Sequence, residues 1–131
     1  MKKLTSLWKK REYHSIYVIL KEKGYDYTID NLEKDFSNVS SMDKFCYLVY
    51  LLSKDYSVKN TLLMCDFLTY TDTFFYDIHS VIRMFTQRAL ELFPTNLTLL
   101  KWIVLTYENH PDSPYEKKEI TYFKARLNKF M

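Results

Sequence analysis

The longest helical pattern of the chain lies in residues 72–94, which read DTFFYDIHSVIRMFTQRALELFP. Its apolar side chains recur every three or four positions, the spacing of one face of an α-helix. They are Phe74, Ile78, Val81, Ile82, Phe85, Ala89 and Leu92. Asp72 or Thr73 is placed to cap the start of this helix. Pro94 ends it, because proline lacks a backbone donor and steers the preceding residue out of helical geometry.

The same pattern extends outward on both sides, and polar residues mark where each helix begins. Ser40 with Asp43 resembles a capping box, and Ser113-Pro114-Tyr115-Glu116 combines a cap, a proline and an acid at a predicted helix start. The other predicted starts are Thr5 or Ser6, Thr28, Ser57 and Asn96. The sequence therefore predicts an all-α fold of about seven helices. Short loops between them predict a compact array of antiparallel helical hairpins.

Gly24 is the single glycine among 131 residues, and it ends the first predicted helix. Average usage would give about nine glycines. Glycine-dependent phosphate loops, dinucleotide-binding fingerprints and nucleophile elbows are therefore excluded, and a sheet with many tight turns is disfavoured. Length and composition predict one helical domain over residues 1–131.

Apolar stripes of the predicted helices identify a core. The residues expected to be mostly buried are Phe45, Leu48, Val49, Leu52, Ile78, Ile82, Phe85, Trp102, Ile103 and Phe123. Cys46 and Cys65 stand among apolar neighbours, so we expect reduced, buried thiols. The basic start of the chain is followed by no apolar run of signal-peptide length, and no segment has the length of a membrane helix. These features predict a cytoplasmic protein without a membrane span.

Catalytic and metal-binding patterns are not visible in the sequence. His14, His79 and His110 are far apart and lack metal-ligand spacing, so we expect solvated or hydrogen-bonded histidines and no metal. A cysteine nucleophile with a distant histidine base stays an alternative, although both cysteines have apolar surroundings. Serines at helix starts are explained by capping. We therefore predict a protein that is not an enzyme and has no cofactor.

Charge is distributed unevenly along the chain. Residues 25–80 hold nine acids and four lysines, a net charge of −5, whereas both ends are basic and the whole chain is +3. An acidic surface accelerates association with a basic partner and disfavours phosphate binding. Helix capping by acids such as Asp30, Asp43 and Asp72 is an equally good interpretation of the same residues.

The chain also has twelve tyrosines, several of them in this acidic span, including Tyr25, Tyr27 and Tyr70. Tyrosines are enriched in protein interfaces because a large ring carries a polar hydroxyl, although an aromatic core would also account for them. We predict a protein-binding surface. Its candidate residues are Asp26, Asp30, Glu33, Asp35, Tyr47, Tyr50, Tyr56, Asp72 and Tyr76.

One local segment, residues 89–107, resembles a tetratricopeptide repeat. Ala89 is followed five positions later by Pro94, and Tyr107 falls where the next repeat places an aromatic residue. The resemblance fails upstream, where Asp66 and Tyr70 occupy the positions of an aromatic residue and a glycine. It also fails downstream, where Glu116 and Phe123 occupy positions that require small residues. The segment therefore predicts stacked helical pairs of solenoid character and not a repeat array.

In general character the whole chain is similar to small all-helical bacterial immunity proteins, including those of contact-dependent inhibition systems. The shared features are its size, the absence of a signal peptide and a catalytic cluster, and the acidic, tyrosine-bearing middle. The resemblance implies a tight one-to-one complex with a cognate toxin domain whose active site or substrate surface is occluded. We expect the free chain to be a monomer. The net positive charge departs from acidic inhibitors of basic nucleases.

Two other functions stay open. A tetratricopeptide-like adaptor or chaperone would bind many short peptides weakly. A nucleic-acid-binding regulator would use the basic ends and show steep salt dependence, although the small excess charge disfavours it.

Overall fold

Eight helices make up the part of the chain that the computed structural model describes, which is residues 2–34, 39–70 and 75–130. They are α1 (Lys2–Lys9), α2 (Tyr13–Lys23), α3 (Tyr25–Glu33), α4 (Ser41–Lys54), α5 (Val58–Tyr70), α6 (Ile78–Leu92), α7 (Leu97–Tyr107) and α8 (Lys117–Phe130). Strands are absent from these residues. The predicted all-α class is confirmed, and eight helices are close to the predicted seven.

The additional helix arises because the first predicted helix is two helices. The chain turns back between α1 and α2, where Arg11 has a positive φ of 56°. The Arg11 side chain donates from Nε to Asp43 Oδ1 at 2.7 Å, which ties the turn to the start of α4. The turn places Trp8 in the core, edge-on to Tyr47 with ring centroids 5.2 Å apart. Thr5 and Ser6 therefore lie inside α1 and do not begin it.

Polar caps begin several helices as predicted. At α4, Ser40 Oγ accepts from the Asp43 amide at 3.2 Å, and Asp43 Oδ2 accepts from the Ser40 amide at 2.9 Å. This reciprocal pair is the predicted capping box. Before α5 and α7, Ser57 and Asn96 accept from the amide three residues further on. These three predicted starts are confirmed.

Two other predicted starts are wrong. Thr28 lies inside α3, which begins directly after Gly24, and its hydroxyl donates to the Gly24 carbonyl oxygen. The last helix begins about one turn later than predicted, because the Ser113 hydroxyl accepts from the Tyr115 amide in a local turn. Tyr115 is drawn into the core, where its hydroxyl lies 2.6 Å from Thr86 Oγ1.

The start of the longest helix is also shifted. Asp77, rather than Asp72 or Thr73, caps α6 by accepting from the Ser80 amide. Asp72 and Thr73 lie outside the described residues.

Each helix packs on a neighbour in the sequence, and α2 also contacts α4 while α5 contacts α7. The predicted core is largely confirmed: Leu48, Leu52, Ile82, Ile103 and Phe123 are buried. Half-buried against that core are Phe45, Ile78, Phe85 and Trp102. Val49 is 43% exposed, so its predicted burial is wrong. Cys65 is buried and Cys46 is half-buried, and both are free thiols.

Candidate functional site

A groove of about 630 Å³ lies between α3, the start of α4 and α5. We call it the acidic groove. Its apolar lining comes from Tyr25, Ile29, Leu32, Leu63, Phe67 and Tyr70, and its polar lining from Glu33, Ser41, Lys44 and Asp66. A groove with an apolar floor and a few polar groups is the usual form of a binding site.

Carboxylates define the polar side of the acidic groove. Glu33 and Asp66 line it from α3 and α5, and Asp26 is exposed on α3. The pKa of Tyr25 is raised, first by burial and then by the negative charges of Asp66 and Asp26. The charge of Lys44 is turned away from solvent, since its amine donates to the Lys34 carbonyl oxygen and the residue is buried. The lining therefore holds two carboxylates against one lysine, and the amine of that lysine is already hydrogen-bonded.

Aromatic side chains form the other half of the acidic groove. Tyr70, at the end of α5, is 85% exposed, and Phe67 lies one turn before it. The Lys59 amine lies 4.0 Å from the centre of the Tyr25 ring. Asp66 Oδ1 accepts from Trp102 Nε1 at 3.1 Å, so this wall of the groove is tied to α7.

Three of the predicted acidic residues lie in the described part of the chain, all of them on α3. Glu33 lines the acidic groove, and Asp26 and Asp30 are exposed on the same helix. Asp35 and Asp72 lie outside the described residues.

The predicted tyrosines lie in four different places. Tyr47 is 1% exposed, so it belongs to the core and cannot contact a partner, and burial raises its pKa. Tyr50 faces α2, where its hydroxyl lies 2.6 Å from His14 Nδ1. Tyr56 donates to the Phe85 carbonyl oxygen at 2.9 Å, and burial raises its pKa to about 12. Tyr76 is fully exposed before α6.

Glu33 is the one lining residue among the predicted contacts, and the most informative of those that the sequence does not indicate are Asp66, Phe67 and Tyr70. All come from α5, whose sequence suggests a buried helix because its apolar side chains surround the single acid. The exposure of Tyr70 distinguishes this end of α5, and it becomes visible only in the folded arrangement in which α3, α4 and α5 line one groove.

A second groove, of about 510 Å³, lies between the end of α6, α7 and α8, and we call it the C-terminal groove. It includes Pro94 of the tetratricopeptide-like segment, with Leu90, Phe123 and the 56% exposed Tyr122. Its charges are mixed, since the lining includes two acids, Glu91 and Glu119, and two basic residues, Lys118 and Arg126.

Two histidines that are 31 positions apart in the sequence meet between α6 and the loop after α7. The rings of His79 and His110 lie 4.5 Å apart, centre to centre, and Asp112 is close to both. The pKa of His79 is lowered, first by burial and then by His110, although Asp112 and Asp77 oppose the shift. Among the described residues, His79, His110 and Asp112 form the group that could hold a metal ion.

The buried thiol of Cys65 is unsuited to nucleophilic chemistry, because burial raises its pKa far above its ordinary value of 9.0.

Across the described residues, every helix is too short or too polar to cross a bilayer.

Comparison of the chain with protein-family models, with curated proteins and with solved structures finds no match.

Proposed function

We propose that this protein works by binding another protein through the acidic groove, and not by catalysis. The observation that carries the proposal is the meeting of two carboxylates, Glu33 and Asp66, with an apolar floor and an exposed tyrosine in one groove. An interface needs an apolar centre that excludes water and a charged rim that orients the partner. The groove supplies both elements.

The charge of the groove indicates the chemistry of the partner. Glu33 and Asp66 in the groove, together with the exposed Asp26 and Asp30 on α3, favour a segment that carries lysine or arginine next to an apolar or aromatic side chain. The apolar side chain would lie on Ile29 and Phe67 while the basic groups contact the carboxylates. Tyr70 is the expected anchor, because an exposed tyrosine loses much apolar surface when a partner covers it.

The proposed physiological role is that of a cytoplasmic immunity protein, a monomer that neutralises a cognate toxin domain by covering its active site. This role rests on the general resemblance of the chain to such proteins together with the acidic groove. It requires one tight partner and a one-to-one complex.

The test uses two matched variants. The first, Glu33→Lys with Tyr70→Ser, changes an exposed acid and an exposed tyrosine of the acidic groove. The second, Glu91→Lys with Tyr122→Ser, changes the same residue types in the C-terminal groove. Both sets of side chains are exposed, so the fold should be retained, and circular dichroism checks this.

The wild-type chain and the two variants are immobilised and exposed to lysate of the native host, and a captured protein is then purified for kinetic measurement. We expect a protein that the wild type and the C-terminal-groove variant retain and the acidic-groove variant loses. With purified partner, Glu33→Lys alone should slow association at low salt. Tyr70→Ser alone should speed dissociation, with a loss of about thirtyfold in affinity. Equal binding by the acidic-groove variant would overturn the proposal.

A tetratricopeptide-like adaptor is the second candidate, and the C-terminal groove favours it. That groove lies beside the segment 89–107 and has an apolar lining with room for an extended peptide. The same experiment decides between the two functions, because an adaptor would lose its peptides in the Glu91→Lys, Tyr122→Ser variant and bind several of them weakly.

A further inference from the structure

We propose that His79, His110 and Asp112 bind one Zn²⁺ ion. One potential ligand atom from each residue lies within 4.8 Å of the others. The three residues come from the start of α6 and from the loop after α7. His79 is the second residue of α6, and His110 and Asp112 flank Pro111 in the loop after α7.

The donor set selects the class of ion. Two imidazoles and one carboxylate are typical of Zn²⁺ and of neighbouring transition metals, whereas Ca²⁺ and Mg²⁺ prefer oxygen ligands only. Three protein ligands leave a fourth tetrahedral position for water or for a group from another molecule.

The His79 ring is held by Tyr107, a residue that is not itself a proposed ligand. The hydroxyl of Tyr107, a fully buried residue, lies 3.0 Å from His79 Nδ1. When Nδ1 donates its hydrogen to this hydroxyl oxygen, Nε2 keeps a lone pair for the metal. Histidine ligands of metal sites commonly use their second nitrogen in this way, which fixes the tautomer and the direction of the ring. Tyr107 is therefore a positioning residue of the site.

The loop after α7 must adjust when the ion binds. At present His110 Nδ1 accepts from the Asp112 amide at 3.0 Å, which leaves the proton of the neutral ring on Nε2. Coordination through either nitrogen removes this hydrogen bond, because Nδ1 then binds the metal or carries the proton.

The loss of that hydrogen bond is a small obstacle. The bond is exposed, so water replaces it as a partner of the Asp112 amide. The Asp112 side chain is exposed as well, and it can rotate toward the histidines without disturbing the core. The Asp112 amide is consequently the backbone group that should report binding most strongly.

The experiment titrates Zn²⁺ into the full chain, prepared without a histidine tag and freed of metal with a chelator. Calorimetry should give one ion per chain, and the melting temperature should rise with zinc concentration. In ¹⁵N-resolved spectra the Asp112 amide should shift on binding. Mg²⁺ and Ca²⁺ at the same concentration should leave all three measurements unchanged.

Four variants locate the ion. His110→Ala and Asp112→Asn change loop residues, and each should weaken zinc binding about tenfold or more. Tyr107→Phe keeps the ring and removes only the hydroxyl, so it should weaken binding about tenfold with all three ligands present. His14→Ala is the control, because His14 is an exposed histidine on α2 that is hydrogen-bonded to Tyr50.

The result that supports the site is one-to-one binding that is weakened in the first three variants and unchanged in His14→Ala. Absence of saturable binding would overturn the proposal. So would binding that His110→Ala and Asp112→Asn leave intact, since the ion would then lie elsewhere. Because Asp112→Asn changes only an exposed carboxylate, it decides the question even if His110→Ala fails to fold.

Discussion

Replacement of Asp43 by asparagine should destabilise the chain in a pH-dependent manner. The Asp43 side chain is 7% exposed and accepts from the Ser40 amide at 2.9 Å, the Ser40 hydroxyl at 3.1 Å and Arg11 Nε at 2.7 Å. Asparagine keeps the shape and one acceptor oxygen but loses the charge. A hydrogen bond to a charged group contributes about 1 kcal/mol more than a neutral one.

The two hydrogen bonds from Ser40 decide the size of the expected loss of stability. The bond from Arg11 must be discounted because the arginine side chain is 59% exposed and water screens the pair. The expected loss is therefore about 1.5 kcal/mol at pH 7, which lowers the melting temperature by about 5 °C for a chain of this length. Asp30→Asn, an exposed substitution on α3, is the control and should change stability by less than about 0.5 kcal/mol.

The sign of the pH dependence follows from the pKa of Asp43. Burial alone would raise this pKa, but hydrogen bonds from Ser40 and Arg11 hold it below its usual value of 3.8. The stabilisation is therefore present above the pKa of the unfolded chain and is lost as the pH falls through the folded pKa. Urea denaturation at pH 7 and pH 3 should show the difference between wild type and Asp43→Asn closing at low pH. An equal difference at both pH values would refute the electrostatic origin.

Three further substitutions or treatments have defined outcomes. Gly24→Ala should cost about 1–2 kcal/mol in thermal unfolding, because φ is +103° although the space around the new methyl group is open; an unchanged melting temperature would contradict this strain. A thiol reagent should modify half-buried Cys46 first and Cys65 only on unfolding, since Cys65 is fully buried with a raised pKa, and equal labelling rates would disprove the difference. Tyr115→Phe should cost about 1 kcal/mol in urea unfolding by removing the 2.6 Å contact with Thr86, and the absence of any loss would show that this contact is not stabilising.

Local chemistry explains which parts of the fold the sequence predicts correctly. The Ser40–Asp43 capping box and the Asn96 cap involve residues three positions apart, so the sequence contains the whole interaction. The turn at Arg11 depends instead on a carboxylate 32 residues away, and neither a glycine nor a proline marks it. The start of α8 was misplaced for a related reason, because the burial of Tyr115 outweighs a good local cap signal.

The candidate sites depend even more on tertiary packing. Tyr47 and Tyr70 both belong to helices rich in apolar residues, yet one is 1% exposed and the other 85% exposed. The acids of α3 were predicted from charge alone, whereas Asp66 joins them only because α5 packs nearby. His79 and His110 meet through the packing of α6 and α7, and no spacing rule for metal ligands covers such a separation.

The way the helices end has a consequence for the unfolded chain. The ends of α3, α4, α6 and α7 fall at Lys34, Asp55, Phe93 and Glu108, which all have a negative φ, so these connections need no glycine. Each glycine that is absent removes freedom from the denatured backbone, which lowers the entropy lost on folding by about 0.4–1 kcal/mol per position. Relative to average usage of glycine, the saving is on the order of 5 kcal/mol, comparable to the whole stability of a small domain.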